Sequence, residues 1–413
     1  MERRFGLTRN HCVKRVGIFL ITAALIPGMV GCDASHVRYD LSISSTAGGS
    51  VTAPGEATFT YDAGTVVDLV AEPDEGYHFV NWIGDVSMIA DVENSMASIT
   101  INGDYSITAN FSKKIDYPYS GSVRLHRGFD SEEYTWFSFV PDDLRQSSTY
   151  YILLTAEGGN TDYGATIQNV RRLTAFFSSN PSLSNLICIG VAIPRGEGQG
   201  EYAVAMPASV FSHVIDKKFY RPDLKVSAII EDFTSELRSY GIQINDKVLM
   251  WGFSNSAMFA QRYCFLHPEK VKAVAIGQAG GALTMGMDTY SNNGLDWPVG
   301  TNDFSILTSV DFDAHAYNSI PKFIFIGEED TGPYQSTVYS PVYGWNLEIF
   351  TADQCRILYD IADTDPMRVQ NQSVIMNNNG DNISFKMYPG IGHHFSSQMQ
   401  FDAGVFFTSI INE

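Results

Sequence analysis

One serine stands on a short turn between an apolar run and a helix-like stretch. The turn reads Gly252-Phe253-Ser254-Asn255-Ser256, after Lys247–Trp251 and before Ala257–His267. On so sharp a turn a serine hydroxyl can be exposed and activated, which makes Ser254 a candidate nucleophile. Small residues are needed at its flanks because a larger side chain would strike the neighbouring strand or helix. Ser256 occupies the flank where a glycine is usual, and serine is the next smallest polar residue.

A serine hydroxyl is a poor nucleophile until a base removes its proton, and the base needs an acid to fix its tautomer. Both partners have candidates just after later apolar runs. Lys322–Ile326 is followed four residues later by Asp330, and Ser384–Tyr388 is followed by a glycine-containing turn that ends at His393. Ser254, His393 and Asp330 are therefore candidates for the nucleophile, the base and the acid.

Three neighbours compete for the roles of base and acid. Glu328 and Glu329 precede Asp330, and His394 follows His393. The adjacent histidines also raise the alternative of a metal site. A metal site would want a His-Glu-x-x-His helix or a third close ligand, and neither occurs in the sequence. We therefore predict no metal and no cofactor.

Acyl transfer also needs donors for the negative charge that develops on the carbonyl oxygen. The backbone N–H after the nucleophile, that of Asn255, is one candidate. The second is expected in the loop Glu157-Gly158-Gly159-Asn160, which follows the buried strand-like run Tyr150–Ala156. Glycines there let bare backbone amides approach the substrate. The sequence leaves open whether Gly159 or Asn160 supplies the donor.

From residue 122 to 413, strand-like apolar runs alternate with amphipathic helical segments, which predicts a mainly parallel sheet with helices on both faces. The serine turn, the order serine, aspartate, histidine and the glycine pair before Asn160 together resemble the α/β-hydrolase superfamily. The resemblance implies an α/β fold and a serine hydrolase that cleaves carboxylic esters through an acyl-enzyme. It also implies that Ser254 is the nucleophile, His393 the base and Asp330 the acid. Two further segments, Gly294–Asp303 and Trp136–Leu144, are similar to polyhydroxyalkanoate-depolymerase-like and feruloyl-esterase-like secreted esterases.

An insertion spans residues 281–320, between the sixth strand and the strand that carries the acid. The superfamily places lids at this point, so we expect the segment to wall the substrate pocket. Trp297 and Tyr290 are candidates to line an acyl or aryl site, and simple packing is the alternative for both.

Residues 37–112 have a different sequence pattern. Hydrophobic residues alternate with polar ones, and glycine and proline pairs mark the turns, which predicts a small all-β module. Segments such as Tyr61–Val67, Gly76–Trp82 and Ile107–Phe111 resemble the B-repeat of internalin-type bacterial surface proteins. The resemblance implies a spacer, with ligand binding as the alternative. Residues 113–121 are predicted to be a linker.

The first 31 residues predict export. A basic segment ends at Lys14-Arg15, an apolar stretch runs from Val16 to Val30, and Gly31-Cys32 follows. Met29–Cys32 resembles a bacterial lipobox, which implies a lipoprotein whose first mature residue is a lipidated Cys32. A signal cleaved elsewhere and an uncleaved anchor are the alternatives, and all three export the protein. We expect it at the bacterial cell surface or in the periplasm.

Composition is that of a globular protein, with 44% hydrophobic and 13% aromatic residues in 413. The net charge is −19, which argues against nucleic acid and against an anionic membrane surface as electrostatic partners. Cys188, Cys264 and Cys355 are too widely spaced to predict a disulfide framework.

The function predicted first is an exported serine hydrolase acting on a small or polymeric ester, held at the membrane only through its lipid. Two alternatives stay open. One is a serine peptidase of the same fold. The other is a non-catalytic surface adhesin or binding protein whose hydrolase domain has degenerated, which the surface repeat and Ser256 would suit.

Overall fold

The structure is a computed structural model, which describes residues 37–129, 134–158, 163–178, 185–194, 203–279, 282–330 and 350–412. The predicted signal segment and the lipidation site at Cys32 lie outside the described residues. Within the described ranges no helix is long and apolar enough to cross a membrane.

The N-terminal part is an all-β module, as its alternating pattern predicts. Its strands form two sheets, ordered β3-β1-β7-β5 and β2-β4-β6. The inward-facing residues of both sheets pack into one apolar cluster around Leu41, Leu69, Trp82 and Ile107. The strands are β1 (Arg38–Ser45), β2 (Gly49–Ala53), β3 (Thr58–Asp62), β4 (Val66–Pro73), β5 (Tyr77–Gly84), β6 (Met96–Thr100) and β7 (Tyr105–Lys113).

The rest of the chain is built on one large sheet. Along its main path the strand order is β18-β17-β14-β13-β10-β11-β9-β8, and β12 pairs with β10. Neighbouring strands are parallel except at β9, which runs antiparallel to β8 and β11. These strands are β8 (Val123–Phe129), β9 (Tyr134–Phe139), β10 (Thr149–Glu157), β11 (Leu186–Ala192), β12 (Gln243–Ile244), β13 (Val248–Phe253), β14 (Val271–Gly277), β17 (Lys322–Gly327) and β18 (Ile383–Tyr388).

Helices cover both faces of this sheet. Residues of α2, α3, α6 and α7 belong to the apolar cluster on one face, and α8 joins the cluster on the other, whereas α1 packs on Phe137 and Ala192. The helices are α1 (Tyr163–Ser178), α2 (Pro222–Ser239), α3 (Asn255–Leu266), α4 (Phe304–Thr308), α5 (Ala314–Ser319), α6 (Ala352–Ile361), α7 (Asp365–Asn378) and α8 (Ser397–Ile411). A covered parallel sheet with its second strand reversed is the α/β-hydrolase fold, so the predicted fold class is confirmed.

Segment 113–121 contacts the larger domain. Lys114 forms a β-bridge with Arg145, and the N–H of Ile115 donates to the carbonyl oxygen of Leu144 at 3.1 Å. Tyr117 is buried in the core of the larger domain. Beside the bridge, Nδ1 of His78 lies 3.3 Å from a carboxylate oxygen of Asp143.

The insertion at 281–320 folds as a short hairpin and two short helices. The hairpin consists of β15 (Thr289–Tyr290) and β16 (Asn293–Gly294), and α4 and α5 follow it. The thiols of Cys188 and Cys264 are free and buried in the domain core, as their apolar surroundings predict, and Cys355 is free and partly buried.

Candidate active site

Ser254 lies on the turn that joins β13 to α3. Its backbone adopts φ +60° and ψ −120°, and residues other than glycine rarely adopt a positive φ of this kind. The Ser254 N–H donates to the carbonyl oxygen of Gly277 on β14 at 2.8 Å, which fixes the turn against the neighbouring strand. A strained turn of this kind lifts the serine hydroxyl above the end of the sheet, where a substrate can reach it.

The flanks of Ser254 explain the composition of the turn. A Cβ at Gly252 would lie 2.3 Å from the carbonyl oxygen of Ser256, so no side chain fits there. Ser256 is fully buried. Its hydroxyl oxygen accepts from the N–H of Phe253, and its O–H donates to the carbonyl oxygen of Phe253, both at 2.8 Å. Ser256 therefore ties the helix start to the peptide just before the nucleophile.

His393 reaches Ser254 from the loop after β18. Its Nε2 lies 3.0 Å from the Ser254 hydroxyl oxygen, and its side chain is 32% exposed. Gln278 holds this loop, because its side-chain amide donates to the carbonyl oxygen of Gly392 at 2.8 Å. Gly327 lets the loop approach, since a Cβ there would lie 2.1 Å from the carbonyl oxygen of Ile391.

Asp330, in the turn after β17, is the third side chain of the group and contacts His393. Both of its carboxylate oxygens lie 3.1 Å from Nδ1 of His393, and the residue is 3% exposed. The three competing neighbours are exposed, and Glu328 accepts from the N–H of Gly390 at 3.3 Å. Among the described residues no hydrogen bond joins any of the three to Ser254. The structure thus brings Ser254, His393 and Asp330 together.

The electrostatics of Asp330, His393 and Ser254 suit proton transfer. The hydrogen bond with Asp330 raises the pKa of His393, outweighing the burial that lowers it, and the charges of Asp330 and Asp365 act in the same direction. With Nδ1–H donated to Asp330, the neutral ring presents its unprotonated Nε2 to the Ser254 hydroxyl. This arrangement can accept the serine proton and stabilise the imidazolium that results.

The predicted oxyanion donors stay predictions, and of the three only Asn255 lies among the described residues. Asn255 is the first residue of α3, where a backbone N–H has no partner within the helix and is free for an anion. The other candidates, Gly159 and Asn160, lie outside the described residues, which stop at Gly158 in the loop after β10. Gly158 follows β10, which pairs with β13, the strand that leads to Ser254.

The two aromatic residues predicted to line the pocket differ in exposure. Trp297 is 2% exposed, its indole N–H donates to the carbonyl oxygen of Met206 at 2.8 Å, and its ring packs edge-on against Phe211 and Phe265. Tyr290 is partly buried in β15. The ring of Trp297 therefore packs in the core of the domain. A contact of Trp297 or Tyr290 with the substrate stays a prediction.

One residue beside the site, Gln278, escaped the sequence analysis. Gln278 has a left-handed backbone with φ +47° and anchors the histidine loop, and no pattern in the sequence marks it. Glu157, which begins the loop predicted to supply an oxyanion donor, is the last residue of β10. No group of three metal-ligating side chains occurs among the described residues.

Comparison with known proteins separates the two parts of the chain. Residues 39–115 match the divergent InlB B-repeat domain family. This bears out the predicted resemblance of the N-terminal module. No curated protein matches this chain.

Several solved structures are similar to the larger domain. A poly(aspartic acid) hydrolase from a Sphingomonas species has 14% identity and a TM-score of 0.47, over 69% of this chain and 97% of that one. A poly(3-hydroxybutyrate) depolymerase from Bordetella parapertussis has 13% identity and a TM-score of 0.44, over 70% and 91%. A ferulic acid esterase has 15% identity and a TM-score of 0.42, over 71% and 99%.

Proposed function

We propose that this protein is a serine hydrolase that cleaves carboxylic esters through an acyl-enzyme, with Ser254, His393 and Asp330 as its catalytic triad. The observation that carries the proposal is the continuous hydrogen-bonded row from the Asp330 carboxylate through both ring nitrogens of His393 to the Ser254 hydroxyl. A buried acid, a histidine and a serine on a strained turn have this arrangement when the serine is activated as a nucleophile.

The reaction follows from these contacts. His393 Nε2 takes the proton of Ser254 as the serine oxygen bonds to the ester carbonyl carbon, and the carbonyl oxygen becomes an oxyanion facing the N–H of Asn255. His393 then returns the proton to the departing alcohol as the ester C–O bond breaks, which leaves the acyl group on Ser254. Water attacks the acyl carbon, giving its proton to His393, and the acid is released as Ser254 regains its hydrogen. Asp330 stays ionised and holds the imidazolium throughout.

A panel of substrates tests this proposal. Purified protein is assayed with 4-nitrophenyl esters of increasing acyl length and, beside them, a chromogenic peptide amide. We expect turnover of the esters well above that of the amide, and a fall of about 10⁴-fold or more in kcat for Ser254→Ala. Faster cleavage of the amide would favour a peptidase. Ester turnover that survives the Ser254→Ala change would remove Ser254 from its role.

We propose further that the protein is exported and anchored by a lipid on Cys32, with the β-module as a spacer between membrane and enzyme. The basic, apolar and Gly-Cys segments in residues 1–32 support this. Cell fractionation tests it: wild-type protein is expected with the membranes and Cys32→Ser protein in the soluble fraction. An unchanged distribution would exclude the lipid anchor.

A further inference from the structure

The carbonyl oxygen of Gly392, the residue before His393, accepts two hydrogen bonds. One comes from the N–H of His394 at 2.8 Å, and it closes a three-residue turn that has His393 at its centre. The other comes from the side-chain amide of Gln278, also at 2.8 Å. The atom that closes the turn carrying His393 is therefore also the atom to which Gln278 is bonded.

Gln278 is placed where the three elements of the site meet. It directly follows β14, and its N–H donates to the carbonyl oxygen of Phe325 on β17, the strand that leads to Asp330, at 2.9 Å. The carbonyl oxygen of the preceding residue, Gly277, accepts from the N–H of Ser254 at 2.8 Å. The backbone of this pair thus bonds the serine turn and the strand of the acid, and the Gln278 side chain bonds the histidine loop.

The conformation of Gln278 costs free energy. Its backbone has φ +47°, which residues other than glycine rarely adopt. The residue is 2% exposed, and among the described residues its side-chain oxygen accepts no hydrogen bond. Both features oppose folding. The contact with the histidine loop explains a long amide side chain at this position better than a contribution to stability does.

The far side of the histidine turn is held by packing instead. The ring of Phe395 lies with its centroid 5.0 Å from that of Trp251 and 5.5 Å from that of Phe253. Apolar contact keeps the loop on the domain but is not directional, whereas a hydrogen bond fixes both distance and angle. Loss of the Gln278 amide is therefore expected to shift His393 without releasing the loop.

We infer that Gln278 is a positioning residue for acyl transfer: its amide holds the turn that carries His393 where the imidazole reaches both Ser254 and Asp330. This role rests on the proposed function and adds to it a residue that acts through His393. The two contacts at stake are 3.0 Å from Nε2 to the serine oxygen and 3.1 Å from Nδ1 to the carboxylate. A displacement of about 1 Å would break either, and misplacement of that size can cost about 10²-fold in rate.

The test measures kcat and KM for 4-nitrophenyl butyrate in Gln278→Met, which keeps the length of the side chain and removes the donor. We expect kcat to fall about 10²-fold while KM changes less than about 3-fold, because His393 acts in the chemical step. A kcat within about 3-fold of the wild-type value would overturn the inference and leave the hydrolase proposal intact. Absence of ester turnover in the wild type would overturn the hydrolase proposal and this inference together.

Gln372→Met is the matched control. Gln372 is fully buried on α7, where its amide donates to the carbonyl oxygen of Leu283 at 3.0 Å and its oxygen accepts from the Leu283 N–H at 2.9 Å. This substitution removes two hydrogen bonds, whereas Gln278→Met removes one. We therefore expect Gln372→Met to lower Tm more than Gln278→Met does and to keep kcat within about 3-fold of the wild type. Losses of kcat that follow the losses of Tm in both variants would overturn the inference.

The pH profile separates positioning from a general loss of structure. The hydrogen bond with Asp330 raises the pKa of His393, and the charges of Asp330 and Asp365 act in the same direction. A ring displaced from Asp330 loses part of this effect, so the acid limb of kcat/KM should lie at lower pH in Gln278→Met than in the wild type or Gln372→Met. An acid limb that stays in place in a slow Gln278→Met protein would overturn the inference.

A second variant guards against a failure to fold. Gln278→Glu has a side chain of the same length, and its ionised carboxylate cannot donate to the Gly392 carbonyl oxygen, so at pH 8 its kcat should fall at least as far as that of Gln278→Met. Thermal unfolding followed by circular dichroism shows whether each variant is folded. Failure of both variants to fold would make Gln278 a structural residue and would overturn the inference.

Discussion

His393 and Ser254, which are 139 residues apart in sequence, meet with Nε2 of the imidazole 3.0 Å from the serine hydroxyl oxygen. The histidine comes from a loop after β18 and the serine from the turn after β13. Between those strands lie β14 and β17, so the histidine loop has to cross the carboxyl end of the sheet. Gln278 and Gly327 support that crossing, through a hydrogen bond to Gly392 and a close approach of Ile391.

The choice of acid can be tested directly. Asp330→Asn keeps the size of the side chain but removes the charge that holds the Nδ1–H tautomer and the imidazolium, so we expect kcat on 4-nitrophenyl butyrate to fall about 10⁴-fold. Glu329→Gln is the control, since Glu329 is exposed and one residue away. A larger loss for Glu329→Gln or Glu328→Gln would show that the acid has been assigned to the wrong residue.

The pH dependence of the base gives a second prediction. The base must be neutral to accept a proton, so kcat/KM should rise as pH increases through the pKa of His393, which Asp330 holds above 6.5. Removing the charge in Asp330→Asn lowers that pKa, so the acid limb of the residual activity should move to lower pH. The measurement is kcat/KM at half-unit pH steps for both proteins. A limb that stays in place would indicate that another group titrates.

Ser256 is predicted to stabilise the turn. Ser256→Ala leaves the buried N–H of Phe253 without its acceptor, which should lower the free energy of unfolding by about 1–2 kcal/mol. Ser409→Ala is the matched control, because Ser409 makes a similar bond to the residue three positions earlier, Phe406, but is exposed on α8. Urea unfolding curves measure both. Equal effects of the two substitutions would contradict the structural role of Ser256.

A buried ion pair is predicted to stabilise the strand that leads to Asp330. Lys322 begins β17, and its ammonium group lies 3.0 Å from the carboxylate of Asp381, with both side chains at most 1% exposed. Asp381→Asn leaves the buried ammonium without its counter-charge and should cost about 3–5 kcal/mol in urea unfolding. Asp353→Asn, which breaks an exposed pair with Arg356, should cost less than about 0.5 kcal/mol. Similar losses for the two variants would contradict this account.

The central strands could be predicted because they are buried on both faces. Their sequences are continuous apolar runs, and Lys322–Ile326 was predicted where the structure has Lys322–Gly327. The edge strand Val123–Phe129 could not be predicted in this way, because arginine, histidine and glycine interrupt its apolar residues. Helix α7 is hard to predict for another reason, because four of the side chains that it buries are polar: Asp365, Arg368, Gln372 and Ser373.

The three residues of the site could be predicted from the sequence, but the contacts that hold them together could not. Order and strand ends indicated Ser254, Asp330 and His393, but three consecutive acids follow β17. The turn decides between them, because the N–H of Asp330 bonds the carbonyl oxygen of Gly327 at 3.2 Å and the side chain points inward. The histidine loop is held by a hydrogen bond from Gln278 to Gly392, 114 residues further along the chain, and no local pattern contains that contact.

The central claim is that Ser254 is an activated nucleophile. Incubation with a fluorophosphonate probe, followed by peptide mass spectrometry, tests it without knowledge of the natural substrate. We expect one adduct, on Ser254, which is absent from heat-denatured protein and from Ser254→Ala, and which forms much more slowly in His393→Ala. Folded wild-type protein that stays unlabelled, or that is labelled at another serine, would contradict the account.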